Sequence, residues 1–161
     1  TYADRVSGGV PVFSGGSSAY GPPPAGWFGT CQAAEGFTPA LHCNNKLIGA
    51  RFYRSAFDDA GRVITTAEFN SPRDGDGHGT HTASTAGGNA GVEASLSNGQ
   101  SSSPIQGMAP RARIAAYKAL WLNVGSTTAN GYTGDLVAAS VIDQHTPRTA
   151  PAANAGGDAA A

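Results

Sequence analysis

Residues 74–88 read D-G-D-G-H-G-T-H-T-A-S-T-A-G-G, and this stretch decides how the rest of the chain is interpreted. His78 stands between two glycines at the head of a run of small residues. Glycine permits sharp turns and lets neighbouring atoms come close. The small residues predict a helix over residues 79–86, and the glycines at 87–88 predict its end. The pattern therefore indicates an imidazole that is presented at a helix entrance rather than buried.

Two further segments predict strands on either side of this helix. Residues 46–53 alternate, so that apolar side chains fall on one side, as in a half-buried strand. Residues 113–121 are apolar on both faces, which is typical of a parallel strand covered on both sides. The helix carries a smooth stripe formed by Gly79, Ala83 and Ala86, which would let it lie close against a sheet. This order of elements predicts an α/β crossover.

The remaining segments predict mostly loops. Residues 1–26 are too rich in glycine and proline for long regular structure, and loops are expected at the three polar segments 54–70, 89–104 and 125–131. Thr133 is predicted to be the N-cap of a helix that continues through residues 136–139, with Asp135 in its first turn. Residues 146–161 contain no large apolar side chain and are predicted to be disordered.

Composition argues against two classes of function. The chain has 161 residues, a formal net charge of −1 and ten scattered basic residues, so it lacks the concentrated positive face that nucleic-acid binding needs. No apolar run approaches the roughly 20 residues of a membrane span. The sequence shows neither an initiator methionine nor a signal peptide, and we expect it to be a piece of a longer protein.

Three motifs resemble those of one enzyme family. The histidine segment resembles the H-G-T-H-x-A motif of the subtilisin-like serine peptidases, the subtilases. Residues 107–110 (G-M-A-P) resemble the turn before the family's next strand. Residues 27–31 (W-F-G-T-C) and 43–51 (C-N-N-K-L-I-G-A-R) resemble segments of the plant-type, secreted subtilases. The motifs occur in the family's order, and the resemblance covers about residues 10–139.

The resemblance implies a fold, an activity and a catalytic residue. The expected fold is the three-layer α/β subtilisin-like fold with a mainly parallel sheet, only partly present here, with residues 1–145 forming part of the catalytic domain. The expected activity is that of a secreted serine endopeptidase, which acts on polypeptides without an organic cofactor, and calcium is not indicated by the sequence. His78 matches the family's catalytic histidine, which serves as a general base and then as an acid because imidazole titrates near the working pH.

The catalytic set within the chain is incomplete. A serine triad needs a carboxylate that orients the histidine and an activated serine. The family's D-T/S-G and G-T-S-M-A motifs are absent, as is the motif of the oxyanion asparagine. Asp74 and Asp76 are expected to solvate the loop or cap the helix rather than orient His78. The chain alone is therefore predicted not to hydrolyse peptides.

The neighbours of His78 on the helix are expected to play structural parts. His81 lies three positions on and is predicted to be a packed histidine that bonds to backbone groups. Thr80 and Thr82 are predicted to bond locally to the helix backbone.

Cys31 and Cys43 lie twelve positions apart, and this spacing is compatible with a disulfide or with two reduced, buried thiols. The resemblance to secreted subtilases favours the disulfide.

Two alternative functions stay open from the sequence. His78 and His81 with Asp74 and Asp76 could form a metal-binding module, although the H-E-x-x-H pattern and the twelfth-position glutamate of a calcium loop are missing. The chain could also be a secreted binding or scaffold relative that has lost the chemistry. A partial sheet would leave apolar faces and open edges, so we expect the isolated chain to unfold with poor cooperativity or to aggregate.

Overall fold

The computed structural model describes residues 2–12, 16–95, 98 and 103–142. The tail predicted to be disordered, residues 146–161, lies outside these residues, as does part of the predicted loop 89–104. In chain order the elements are β1 (Arg5–Ser7), β2 (Val10–Val12), β3 (Ser17–Ser18), α1 (Pro39–His42), β4 (Leu47–Phe52), α2 (Ser55–Asp59), α3 (His78–Gly87), β5 (Ile114–Lys118), β6 (Trp121–Leu122), β7 (Ala129–Asn130), α4 (Thr133–Val137) and a π-helical turn at Ala138–Ile142.

A parallel pair of strands forms the framework. β4 and β5 pair in parallel, with Ala50 opposite Ala116. The connection between them contains α2 and α3, so the predicted crossover, the strand at 46–53 and the helix at 79–86 are confirmed within one or two residues. Within the described residues β5 pairs with β4 along one edge only. The fold observed is α/β, with a small parallel sheet and helices.

The predicted strand at residues 113–121 is too long. β5 ends at Lys118, and the chain turns so that the fully buried Trp121 enters the core. The Trp121 indole donates to the Tyr53 carbonyl at 3.0 Å and meets the ring of Phe52 edge-on at a centroid distance of 5.7 Å. Trp121 and its neighbour then form β6, which pairs antiparallel with β7. This hairpin also replaces part of the loop predicted at residues 125–131.

Residues 54–70 are not the simple loop that the sequence predicted, and two buried residues, Phe57 and Asp135, explain the difference. This segment contains α2, whose first turn is capped by Asp135, nearly eighty residues further along the chain. The Asp135 carboxylate accepts from the amides of Ala56 and Phe57, both at 3.0 Å. Phe57 is fully buried, so the short helix is held by packing as well as by this cap.

The helix that follows β7 begins one residue earlier than predicted. Tyr132 occupies the N-cap position and Thr133 is the first helical residue, so the prediction of Thr133 as the cap is wrong by one position. The side chain of Tyr132 accepts a hydrogen bond from Arg62 at 2.9 Å and packs near Phe57. These contacts fix the start of α4 through tertiary packing, which local capping preferences do not reveal.

The segment before β4 is tied to the sheet covalently and by hydrogen bonds. Cys31 and Cys43 form a disulfide, so of the two alternatives left open by their spacing the bonded one is present. Cys31 also makes a parallel bridge with Ala50 of β4, and the Trp27 indole donates to the Ile48 carbonyl at 3.0 Å. The N-terminal residues add a small antiparallel sheet in the order β2-β1-β3, whose strands are short as expected.

A fully buried lysine joins β4 to the turn that leads into β5. The Lys46 ammonium donates to the carbonyls of Pro110 and Ala112. Its burial lowers the pKa of Lys46 below the usual value. The bonds hold the start of β5 in register, since the Ile114 amide in turn donates to the Lys46 carbonyl at 2.8 Å.

None of the helices among the described residues is long and apolar enough to cross a membrane.

Candidate active site

His78 is the first residue of α3, and a glycine makes that placement possible. Gly77 occupies the N-cap with φ of 92°, a left-handed conformation that L side chains rarely adopt. The chain enters the helix from this turn, and the side chain of His78 is exposed. The prediction that the imidazole is presented at the helix entrance is therefore confirmed.

The carboxylate of Asp74 caps this helix in place of the N-cap residue, which has no side chain. Its Oδ2 accepts from the Thr80 amide at 2.7 Å, in the third position of the helix. Its Oδ1 accepts from the amides of Gly77 at 2.8 Å and Asp76 at 3.1 Å. These bonds satisfy amides that a helix start leaves without partners. Of the two aspartates for which capping or solvation was expected, Asp74 is the cap.

The same bonds explain the electrostatics of Asp74. Partial burial favours the protonated acid, but the hydrogen bonds from Thr80, Gly77 and Asp76 favour the carboxylate and outweigh it. The net result is that the pKa of Asp74 lies below its usual value. Asp74 therefore stays ionised at neutral pH, and both its oxygens remain acceptors for the three amide donors.

A cavity of about 720 Å³ lies between the first half of α3 and the strand β5. The smooth stripe of the helix was expected to lie close against the sheet, but Gly79 and Ala83 line this cavity instead. Close contact is made near the helix end, where a Cβ on Gly87 would lie 2.8 Å from the Ile114 Cδ1. The lining comprises Tyr2, Leu47, Glu68, Pro72, Asp74, Asp76, His78, Gly79, Thr80, Ala83, Ile114–Lys118, Ala119, Leu120, Thr128 and Ala129.

The cavity changes the expected environment of β5. All five residues of the strand are only half-buried, whereas the sequence predicted a strand covered on both faces. His78, Asp74 and Asp76 lie on the lining of the same cavity as the strand. The histidine thus borders a space with a mostly apolar wall.

An ion pair that sequence reasoning missed anchors the loop before α3. The Lys118 ammonium lies 2.6 Å from Glu68 Oε1, and their side chains are 11% and 1% exposed. Lys118 also donates to the carbonyls of Phe69 at 3.0 Å and Arg73 at 2.6 Å. Burial lowers the pKa of Lys118, and the bond to Glu68 partly offsets this effect. The pair could not be found from spacing, because its members lie fifty residues apart.

The other predictions for α3 have mixed outcomes. His81 is exposed, so the prediction of a packed histidine is wrong: the face that it occupies is not covered by another element of the described residues. Thr82 bonds to the backbone as expected, because its hydroxyl donates to the carbonyls of His78 and Gly79, both at 3.1 Å. Thr80 instead directs its interactions to Asp74.

The metal alternative has no counterpart in the part of the chain that the structure describes. No group of three or more histidine, cysteine, aspartate or glutamate side chains is placed there to hold an ion. Asp74, whose carboxylate caps the helix, directs its oxygens at backbone amides rather than at the histidines.

Comparison with known proteins places this arrangement in a family. A sequence profile described as the Subtilase family matches residues 42–146, which include β4, α3, β5 and most of the cavity lining. The chain belongs to the subtilase family. Two subtilisin-like proteases of Arabidopsis thaliana, SBT1.7 and SBT1.6, are each 50% identical to it, over 104 and 107 residues. A third, SBT3.15, is 47% identical over 109 residues.

The similarity covers most of this chain but little of each relative. The matches span 64% and 65% of the chain and 14% of SBT1.7 and SBT1.6. This subtilase chain is therefore compared with about one seventh of proteins that are much longer. The resemblance found in the sequence motifs is confirmed at the level of the family.

Proposed function

We propose that this chain is the histidine-bearing part of the catalytic domain of a secreted serine endopeptidase. The observation that carries the proposal is the placement of His78: exposed, first in α3 and on the lining of the 720 Å³ cavity. It lies in the region that matches the subtilase profile, and the related proteins are named as proteases. Residues 1–145 belong in this proposal to the catalytic domain, which completes a three-layer fold in the longer protein.

His78 acts in this proposal as the proton carrier. A serine hydroxyl supplied by another part of the protein gives its proton to the imidazole and attacks the peptide carbonyl. The imidazolium then donates that proton to the leaving amine, and a water molecule repeats the cycle on the acyl-enzyme. The exposed ring on a capped helix suits this task. A general base must be held within hydrogen-bonding distance of the proton that it takes, and the substrate must be able to reach it.

The substrate in this proposal is a polypeptide, and the polar segment 122–132 borders the cleft that receives it. Thr128 and Ala129 of this segment lie on the cavity lining together with His78. The disulfide between Cys31 and Cys43 supports an extracellular location, because such bonds persist in oxidising compartments.

The test compares this chain with the longer protein that contains it. The longer protein is expected to cleave a fluorogenic peptide and to lose this activity when a fluorophosphonate labels its serine. The chain alone is expected to leave both the peptide and casein intact, because it lacks the nucleophile motif. Serine-directed turnover by the chain alone would contradict the assignment of His78 as its sole triad member. If the longer protein neither cleaves the peptide nor takes up the fluorophosphonate label, the non-catalytic scaffold is favoured instead.

A further inference from the structure

The carboxylate of Asp74 accepts hydrogen bonds from backbone amides on both sides of the histidine. Oδ1 accepts from the Gly77 amide at 2.8 Å, one residue before His78, and Oδ2 accepts from the Thr80 amide at 2.7 Å, two residues after it. A third bond reaches the Asp76 amide at 3.1 Å. The two oxygens of one side chain therefore span the position from which the imidazole projects.

The local sequence gives the backbone little rigidity of its own. Glycines occupy positions 75, 77 and 79, and each loses more conformational freedom on ordering than any other residue. Gly77, at the N-cap, offers no side chain, and no side-chain hydrogen bond comes from the cap position. The bonds to Asp74 order the turn and the amides before and after His78, while the Thr82 hydroxyl bonds to the carbonyls of His78 and Gly79.

Asp74 is itself held to the sheet. Lys118 of β5 donates to the carbonyl of Arg73, the residue directly before Asp74, at 2.6 Å. Lys118 also pairs with Glu68 and bonds to the carbonyl of Phe69, so the whole segment leading to Asp74 is fixed to the strand. A continuous series of contacts runs from β5 through residue 73 to Asp74 and on to the amides that flank His78.

From this geometry we propose that Asp74 is a positioning residue, which sets where the imidazole of His78 stands relative to the cavity. The inference rests on the proposed function, in which His78 transfers protons during peptide hydrolysis. Asp74 acts through the backbone, because the three bonds described come from the amides of Gly77, Asp76 and Thr80 and none comes from the imidazole. Displacement of a catalytic group by about 1 Å can lower the rate a hundredfold. The bonds that hold the backbone on either side of His78 should therefore affect the rate directly.

Asp76 provides a matched control. It carries the same charge, lies two residues further on and lines the same cavity. Its side chain accepts none of the three bonds described, and its own amide is one of the groups held by Asp74. Substitution of Asp76 therefore removes an equivalent charge from the same cavity lining. The hydrogen bonds from the Gly77 and Thr80 amides to Asp74 are retained.

The kinetic experiment uses the full-length protein with the substitutions Asp74→Ala, Asp74→Asn, Asp76→Ala and Asp76→Asn. We expect Asp74→Ala to lower kcat by about 10- to 100-fold with KM within about threefold of the parent. Asp74→Asn should be intermediate, because an amide keeps one of the two acceptor oxygens. The Asp76 variants measure the effect of removing one carboxylate from the cavity lining, and kcat should be at least about fivefold lower in Asp74→Ala than in Asp76→Ala. A lowered melting temperature with unchanged kcat in Asp74→Ala would mean that the cap is merely structural and would overturn the proposal. Equal losses of kcat in Asp74→Ala and Asp76→Ala would also overturn the proposal.

A second measurement separates this inference from the proposed function. In the full-length protein, amide hydrogen exchange at Gly77 and Thr80 is measured at pH 7 by mass spectrometry with residue-level fragmentation, for the unsubstituted protein, Asp74→Ala and Asp76→Ala. Exchange at both amides should be at least about tenfold faster in Asp74→Ala and unchanged in Asp76→Ala. If the full-length parent proves inactive, the proposed function fails while this result still decides whether Asp74 orders the residues around His78. Equal exchange in the two variants would overturn the inference whatever the activity.

Discussion

Removal of the buried carboxylate at Glu68 should weaken the attachment of the loop that leads to His78. Glu68 accepts from the Lys118 ammonium at 2.6 Å, from the Phe69 amide at 2.8 Å and from the Leu122 amide at 3.0 Å. Glu68→Gln keeps the shape of the side chain but leaves the Lys118 charge without its counter-ion. Breaking a buried pair in this way costs about 3–5 kcal/mol. The carbonyl of Arg73 continues to solvate the ammonium, which favours the lower end of that range.

The assay is native-state amide hydrogen exchange in the full-length protein at Leu122, whose N–H donates to Glu68 Oε2. A loss of about 3 kcal/mol corresponds to exchange that is faster by roughly a hundredfold, since each 1.36 kcal/mol is a factor of ten. The double variant Glu68→Gln/Lys118→Met should recover part of this loss, because it no longer buries an unpaired charge. If the loss of stability in the double variant equals the sum of the losses in the two single variants, the charge-based explanation is contradicted.

The exposed pair of Arg54 and Asp58 serves as the control. Its side chains are 24% and 48% exposed and lie four residues apart on α2, at a distance of 2.9 Å. Such surface pairs contribute about 0.5 kcal/mol or less, so Asp58→Asn should change exchange by no more than about twofold. If Glu68→Gln has no larger effect than Asp58→Asn, the Glu68–Lys118 pair does not anchor the loop and the reasoning is refuted.

Three further predictions concern stability. Replacement of Cys31 and Cys43 by serine should lower the free energy of unfolding by about 3 kcal/mol, because it releases a loop with a separation of 12 residues, and a loss below about 1 kcal/mol by amide exchange would count against this. Gly77→Ala should cost about 1–3 kcal/mol, because φ is 92° at this position. Gly79→Ala lies inside the helix, where its Cβ would be 3.5 Å from Asp74 Oδ2, an ordinary contact, so this change should be neutral or stabilising by up to about 1 kcal/mol. Equal effects of the two substitutions on helix circular dichroism would contradict this. The isolated chain should melt over a broad range or aggregate, since β5 pairs along one edge among the described residues, and a sharp transition with equal calorimetric and van't Hoff enthalpies would disprove this.

Patterns confined to one segment were sufficient for the central elements. The alternation at residues 46–53 and the small-residue run at 79–86 predicted β4 and α3, because both depend on periodicity and on glycine at the ends. His78 could be singled out for the same reason, since its glycine neighbours act locally. The disulfide needed the family resemblance, because the spacing of Cys31 and Cys43 was compatible with two outcomes.

Long-range contacts account for what the sequence did not reveal. The helix α2 depends on caps from Asp135, and the end of β5 depends on the burial of Trp121. The Glu68–Lys118 pair joins a loop to a strand across fifty residues, and no local signal marks either member. The cavity and the exposure of His81 follow from how α3 sits over β5, which periodicity within α3 cannot determine.

The role of His78 is tested most directly by two histidine substitutions in the full-length protein. Both side chains are exposed on α3, three residues apart, so His81→Ala controls for the loss of an imidazole from this helix. Hydrolysis of a fluorogenic peptide should fall by about 10⁴-fold or more in His78→Ala, while His81→Ala should stay within about threefold of the parent. Hydrolysis by His78→Ala at the parental rate would contradict the proposal that this imidazole carries the proton.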